Sequence, residues 1–147
     1  MSVDIIDQIS IGRGVTAPLV RDGRGDFANY NGAPVVAASI RQILATKAMT
    51  PKSNGEVRWR PEFGSGMHGL LFRHTGPGLE DLIRHRVLEA IQIWEPRVRI
   101  KSIEIRMYQT ESGQTGNNAV DARMVYDIVT GRNGGVVAFD VFQQETF

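Results

Sequence analysis

At Pro96 the hydrophobic period of this chain changes from about 3.6 residues to two. Between Gly78 and Trp94, the residues Leu79, Leu82, Ile83, Val87, Ala90, Ile91, Ile93 and Trp94 fall in one half of a helical wheel. That spacing predicts a helix with a single apolar face, with Arg86 inside the apolar arc and Leu88 opposite it. Pro96 ends the helix, because its ring disfavours a helical conformation at Glu95 and would clash inside a continuing turn. Beyond it Val98 and Ile100 alternate, and Ile103, Ile105 and Met107 alternate one step out of register. A period of two does not change face unaided, so either Lys101-Ser102 forms a β-bulge or the strand stops and restarts there. A second predicted strand puts Ala122, Met124, Tyr126 and Ile128 on one face. TGRNGG then reads as a hairpin turn, and a third strand carries Val137, Phe139 and Val141.

The first half of the chain is less regular. Gly12, Gly14, Gly23, Gly25 and Gly32, with Pro18 and Pro34, break any sustained period, so residues 1–33 are expected to form an irregular N-terminal arm. From Pro34, the residues Val36, Ile40, Ile43, Leu44 and Lys47 follow the spacing of one helix face, which predicts a helix ending near Thr46 to Met49. MTPKSNGE is turn chemistry, and Val57-Arg58-Trp59-Arg60 reads as a short strand closed by Pro61. Between Gly66 and Phe72 there is room for one or two helical turns. The expected fold class is therefore α+β: two main helices packed on a small, mostly antiparallel sheet that ends in a C-terminal β-hairpin. With 147 residues and 41% hydrophobic content, the chain is expected to be a single domain, its α+β core spanning residues 34–147.

Much chemistry is excluded at this level. The sequence has no cysteine, so disulfides, thiolate metal sites and cysteine nucleophiles are ruled out. His68, His74 and His85 lack metal-ligand spacing, so neither a metal nor a cofactor is expected. Gly64, Gly66 and Gly69 spell GxGxxG, but Pro61 before them and Gly76-Pro77-Gly78 after them deny the strand and long helix that a dinucleotide fingerprint needs. The formal net charge of +1 gives no general attraction to nucleic acid or to an anionic membrane. No apolar run approaches the ~20 residues of a spanning helix, and the start MSVDIIDQIS lacks the features of a secretory signal, so folding in the host cytosol is expected.

Two other readings are chemically possible. Arg58, Trp59 and Arg60, with Arg97, Arg99 and Lys101, could form a basic face with a stacking ring for nucleic acid. The charge is balanced, however, and no recognition helix or RNP-type strand is present, so the solvent side of a half-buried sheet suits the same residues better. Glycoside hydrolysis needs two carboxylates about 5 to 9.5 Å apart, one with a raised pKa. Pairs among Glu56, Glu62, Glu80, Glu89, Glu95 and Asp121 are available, yet none is marked.

The more specific feature is Trp94-Glu95-Pro96-Arg97. In an extended chain Glu95 and Arg97 would project the same way, about 6.5 to 7 Å apart at their bases, with a rigid proline between them. A carboxylate and a planar guanidinium so held would form a polar clamp for another protein.

Taken together and in order, IGRG near the start, SIRQILAT, GEVRWRPEFGSGMHGLLF and AIQIWEPRVRIKSIEI resemble the baseplate wedge and sheath-initiator family of contractile injection machines. This is the lysozyme-like "protein W" family of contractile-tailed phages, with relatives in tailocins, type VI secretion and extracellular injection particles. The resemblance covers roughly residues 11–142 and rests chiefly on Pro61, Glu62, Phe63, Gly64, Gly66, Leu71, Phe72 and the Trp94-to-Arg97 motif. Residues 47–54 look like a small insertion relative to the family pattern. The resemblance implies a structural, non-enzymatic subunit, about six copies of which ring the tube, join the wedges and template the first sheath ring. It implies that Glu95, Pro96 and Arg97 bind the helical core bundle of the wedge, and that sheath arms add to the sheet by strand exchange. Tube or hub proteins are further candidate partners. The implied location is the baseplate of a virion or contractile particle assembled in the host cytoplasm, and the alternative activity is a tail-associated peptidoglycan hydrolase.

Overall fold

The computed structural model describes residues 12–70, 77–109, 118–129 and 135–140. Two short antiparallel strands, β1 (Arg13–Val15) and β2 (Asn29–Asn31), precede helix α1 (Ala33–Ala45). A 3-10 helix (Gly66–Leu70) follows, then helix α2 (Pro77–Trp94) and strands β3 (Val98–Gln109), β4 (Asn118–Ile128) and β5 (Gly135–Asp140). The last three form one antiparallel sheet in the order β3-β4-β5. The α+β expectation therefore holds.

The switch of period at Pro96 separates α2 from this sheet. Leu79, Ile83, Val87, Ala90 and Ile91 of α2 are buried, as are Val36, Ile40, Ile43 and Leu44 of α1. They meet Val120, Met124, Tyr126 and Ile128 of β4 in one apolar core. In β3 the pairing shifts between Ile100 and Ser102, so Lys101 is the extra residue of a bulge. Val98 and Ile100 before the bulge therefore pack on the same core as Ile103 and Ile105 after it. Ile93, expected on the apolar face of α2, is instead 60% exposed; it stands near the edge of the apolar arc.

Three local expectations are corrected. The N-terminal arm is not wholly irregular: Arg13 pairs with Asn31 and Val15 with Asn29, and Arg21 bridges Phe27 around a turn in which the Asp22 carboxylate accepts from the amides of Arg24 and Asp26. Glycines interrupt a helical or strand period, yet they also permit a hairpin. Residues Val57–Arg60 form no strand. The Arg60 amide donates to the Val57 carbonyl and the Phe63 amide to the Arg60 carbonyl, giving two linked turns. Finally, α1 ends at Ala45 rather than further on; Thr46 is extended, and its hydroxyl caps the Gln42 carbonyl at 2.7 Å. Val141 and the turn before β5 lie outside the described residues.

Candidate partner-binding site at the helix-to-sheet junction

Helix α2 does not run into an extended chain at Glu95. The Glu95 amide closes the helix on the Ile91 carbonyl at 2.9 Å, and the Val98 amide donates to the Glu95 carbonyl at 3.1 Å. These bonds make a four-residue turn with Pro96 at its second position, where a fixed φ is an advantage. The two side chains consequently face each other. Arg97 Nε donates to Glu95 Oε1 at 2.5 Å and Nη2 to Oε2 at 2.7 Å, a two-pronged pair. On the other side of the junction the Arg97 carbonyl accepts from the Val129 amide at 2.8 Å, tying the turn to the end of β4.

The two partners differ in exposure. Glu95 is 2% exposed, whereas the Arg97 side chain keeps 34% of its surface in solvent. Burial alone would raise the Glu95 pKa, but hydrogen bonds from Arg97 and Ser39 and the guanidinium charge outweigh it, holding the carboxyl below its ordinary value of 4.5. Arg97 is raised, first by its hydrogen bonds to Glu95, against the cost of burial. Tyr126, buried beneath, is raised by burial; the Arg41 charge opposes this and the Glu95 charge adds to it. Arg97 Nη1 lies toward Gly12, where a Cβ would come within 3.5 Å of it.

Around this junction the other sequence-singled residues serve packing. Phe63 sets its edge on Trp94 at 5.2 Å and 67°, and the Arg60 guanidinium lies over the same indole at 4.7 Å. The Pro61 carbonyl accepts from the Met49 amide at 2.7 Å. Gly64 has φ +114°, and a Cβ there would fall 2.3 Å from the Thr46 carbonyl oxygen, so only glycine fits. Gly66 makes room for the stem of Arg86, which reaches Glu89 at 3.0 Å. Glu62 lies 3.9 Å from Arg60. Leu71 and Phe72 lie outside the described residues.

Sequence reasoning missed Ser39 as a partner of Glu95 and Tyr126 as a buried group within reach of the Arg41 and Glu95 charges. Ser39 carried a usable signal, since it stands three residues after Val36 on the flank of the apolar face of α1. The buried carboxylate is the reverse of a general acid: Glu95 is paired and its pKa is lowered. Trp59, offered as a stacking ring on a strand, sits instead in a turn and is 89% exposed.

A family model described as baseplate wedge protein gp25 matches residues 31–131. The chain belongs to this family. It is thus a wedge protein of contractile injection systems, whose members are structural components of the baseplate. The wedge fold is shared with a chain of the anti-feeding prophage baseplate, solved by cryo-electron microscopy with six-fold symmetrisation: TM-score 0.70, 22% identity, 87% of this chain and 94% of that one covered. A putative tail lysozyme from Geobacter sulfurreducens gives TM-score 0.57 and 26% identity over 77% of this chain and 92% of that one. A chain of the postcontracted pyocin R2 baseplate gives TM-score 0.49 and 19% identity over 86% and 99%. Comparison with curated protein sequences gives no match. No helix among the described residues is long and apolar enough to cross a membrane.

Proposed function

We propose that this wedge protein is a non-enzymatic subunit that joins baseplate wedges around the tube and offers its sheet as the template for the first sheath ring. The observation that carries the wedge-joining part is the junction pair. Glu95 is buried and holds Arg97 by both prongs, so the guanidinium stands at a fixed place on a side chain that keeps about a third of its surface in solvent. A fixed, partly desolvated arginine at a turn suits a carboxylate or helix C-terminus on a neighbouring subunit. In this arrangement Arg97 makes the contact, Pro96 shapes the turn and Glu95 positions the arginine. The helical core bundle of the wedge is the partner.

For the template role, the order β3-β4-β5 leaves β3 and β5 each with one strand neighbour among the described residues, which is the geometry strand addition requires. Sheath arms would add there. The paired, acid-shifted Glu95 gives no support to the hydrolase reading.

Arg97→Lys tests the wedge contact, because it keeps the charge near Glu95 and removes the planar fork. In cells producing the particle, the variant is expected to keep native helix and sheet content by circular dichroism while its yield in purified baseplates falls. Normal incorporation of a folded Arg97→Lys subunit would defeat the proposal. Glutamate-dependent turnover of purified peptidoglycan would defeat the non-enzymatic part.

A further inference from the structure

The segment Met49–Phe63 is a lobe built to hold one large apolar side chain outward. Its base is closed by the Met49 amide on the Pro61 carbonyl at 2.7 Å and by the Glu56 amide on the Lys47 carbonyl at 2.9 Å. The Lys47 amide in turn donates to the Glu56 carboxylate at 3.1 Å. Gly55 packs so closely on Pro61 that a Cβ would lie 2.0 Å from its carbonyl oxygen. Above this base the Val57–Arg60 turn carries Trp59, which is 89% exposed, and the same lobe shows Met49 at 55%. An indole presents about 150 to 250 Å² of surface that gains from burial, and a backbone held by turns loses little freedom when the ring is covered.

The surrounding charge says what would cover it. Arg60 is committed to Trp94 and Glu62, and Glu56 to the backbone of Lys47. Arg58, adjacent to the ring, and Lys52 on the lobe are exposed cations. A single ring on a turn, with two carboxylates in the same lobe, does not make the track of successive aromatics and continuous positive groove that single-stranded nucleic acid uses. We propose that Trp59 is the anchor of a protein–protein contact, and that it enters an apolar pocket edged by carboxylates on a neighbouring baseplate protein. This rests on the wedge-joining reading but uses a surface separate from the Glu95–Arg97 junction.

The test is competitive incorporation. Wild-type and variant full-length chains carrying different tags are produced together in cells making the particle, and their ratio in purified baseplates is measured. Trp59→Ala is expected to fall at least about tenfold below wild type, as for an anchor residue, and Trp59→Phe less. Arg58→Glu is expected to fall too. Because the ring is exposed, thermal unfolding of purified Trp59→Ala should match wild type, which separates lost docking from lost folding. A photo-crosslinker placed at position 59 is expected to capture one baseplate protein at a peptide combining apolar and acidic residues. Equal incorporation of wild type, Trp59→Ala and Arg58→Glu would overturn the inference while leaving wedge joining intact. Absence of wild type from baseplates would overturn both. Retention on single-stranded DNA that disappears with Trp59→Ala would also overturn it, in favour of nucleic acid.

Discussion

Glu95 and Trp59 each stand where the ordinary division of residues would not put them, and the way each is held differs. The carboxylate is buried, and three groups of its own chain satisfy it: both prongs of Arg97 and the Ser39 hydroxyl. The indole is 89% exposed; what fixes its place is a set of backbone turns and one glycine packed against Pro61. A buried charge must be satisfied before anything binds, since an unpaired one would cost several kcal/mol. An exposed ring carries no such requirement, so its surroundings can be arranged for presentation alone. Folding energetics should therefore depend heavily on the Glu95 pair and hardly at all on the Trp59 ring itself, as distinct from the turns and the glycine that hold it.

The largest effect should come from breaking the pair. Arg97→Ala leaves the Glu95 carboxylate buried without its main partner and is expected to destabilise the fold by about 3 to 5 kcal/mol, measured by urea unfolding. The same pair sets an acid dependence. The folded-state pKa of Glu95 is depressed, so the unfolded chain binds the proton more tightly. The stabilisation is full above the ordinary carboxyl value of 4.5 and is lost as pH falls through the lower folded value. Unfolding free energy measured against pH should decline through that acid window, and Glu95→Gln should flatten the decline.

Intermediate effects should come from the supports of the lobe. Gly55→Ala forces the backbone away from Pro61 and is expected to cost about 1 to 3 kcal/mol by the same unfolding measurement. Arg60→Ala removes the cation from the Trp94 face and should cost about 1 kcal/mol, with a change in the near-ultraviolet dichroism of that indole. The smallest effect belongs to Trp59→Ala, whose unfolding free energy should stay within about 0.5 kcal/mol of wild type. A large loss there would erase the contrast between the two regions.

The two main helices and the apolar face of β4 were legible in the sequence, because their periods are set by burial on one side and are long enough to be distinctive. The break of phase at Lys101 was legible as well, with the choice between bulge and restart left to the structure. The β1–β2 hairpin was not, since three-residue strands carry almost no period and glycine marks a turn as readily as a loop. Val57–Arg60 misled for a related reason: alternation over four residues is satisfied by a turn. At the junction, the residue types and the proline were readable, but the direction of the side chains was not. It depends on a hydrogen bond from Val98 to Glu95 that bends the chain, and on Ser39 arriving from a helix more than fifty residues earlier.

The extra residue at Lys101 leaves the two halves of β3 phased independently against β4. A regular ladder through Lys101, without the bulge, would put both halves in one phase, so that either Val98 and Ile100 or Ile103 and Ile105 would turn from the core toward water.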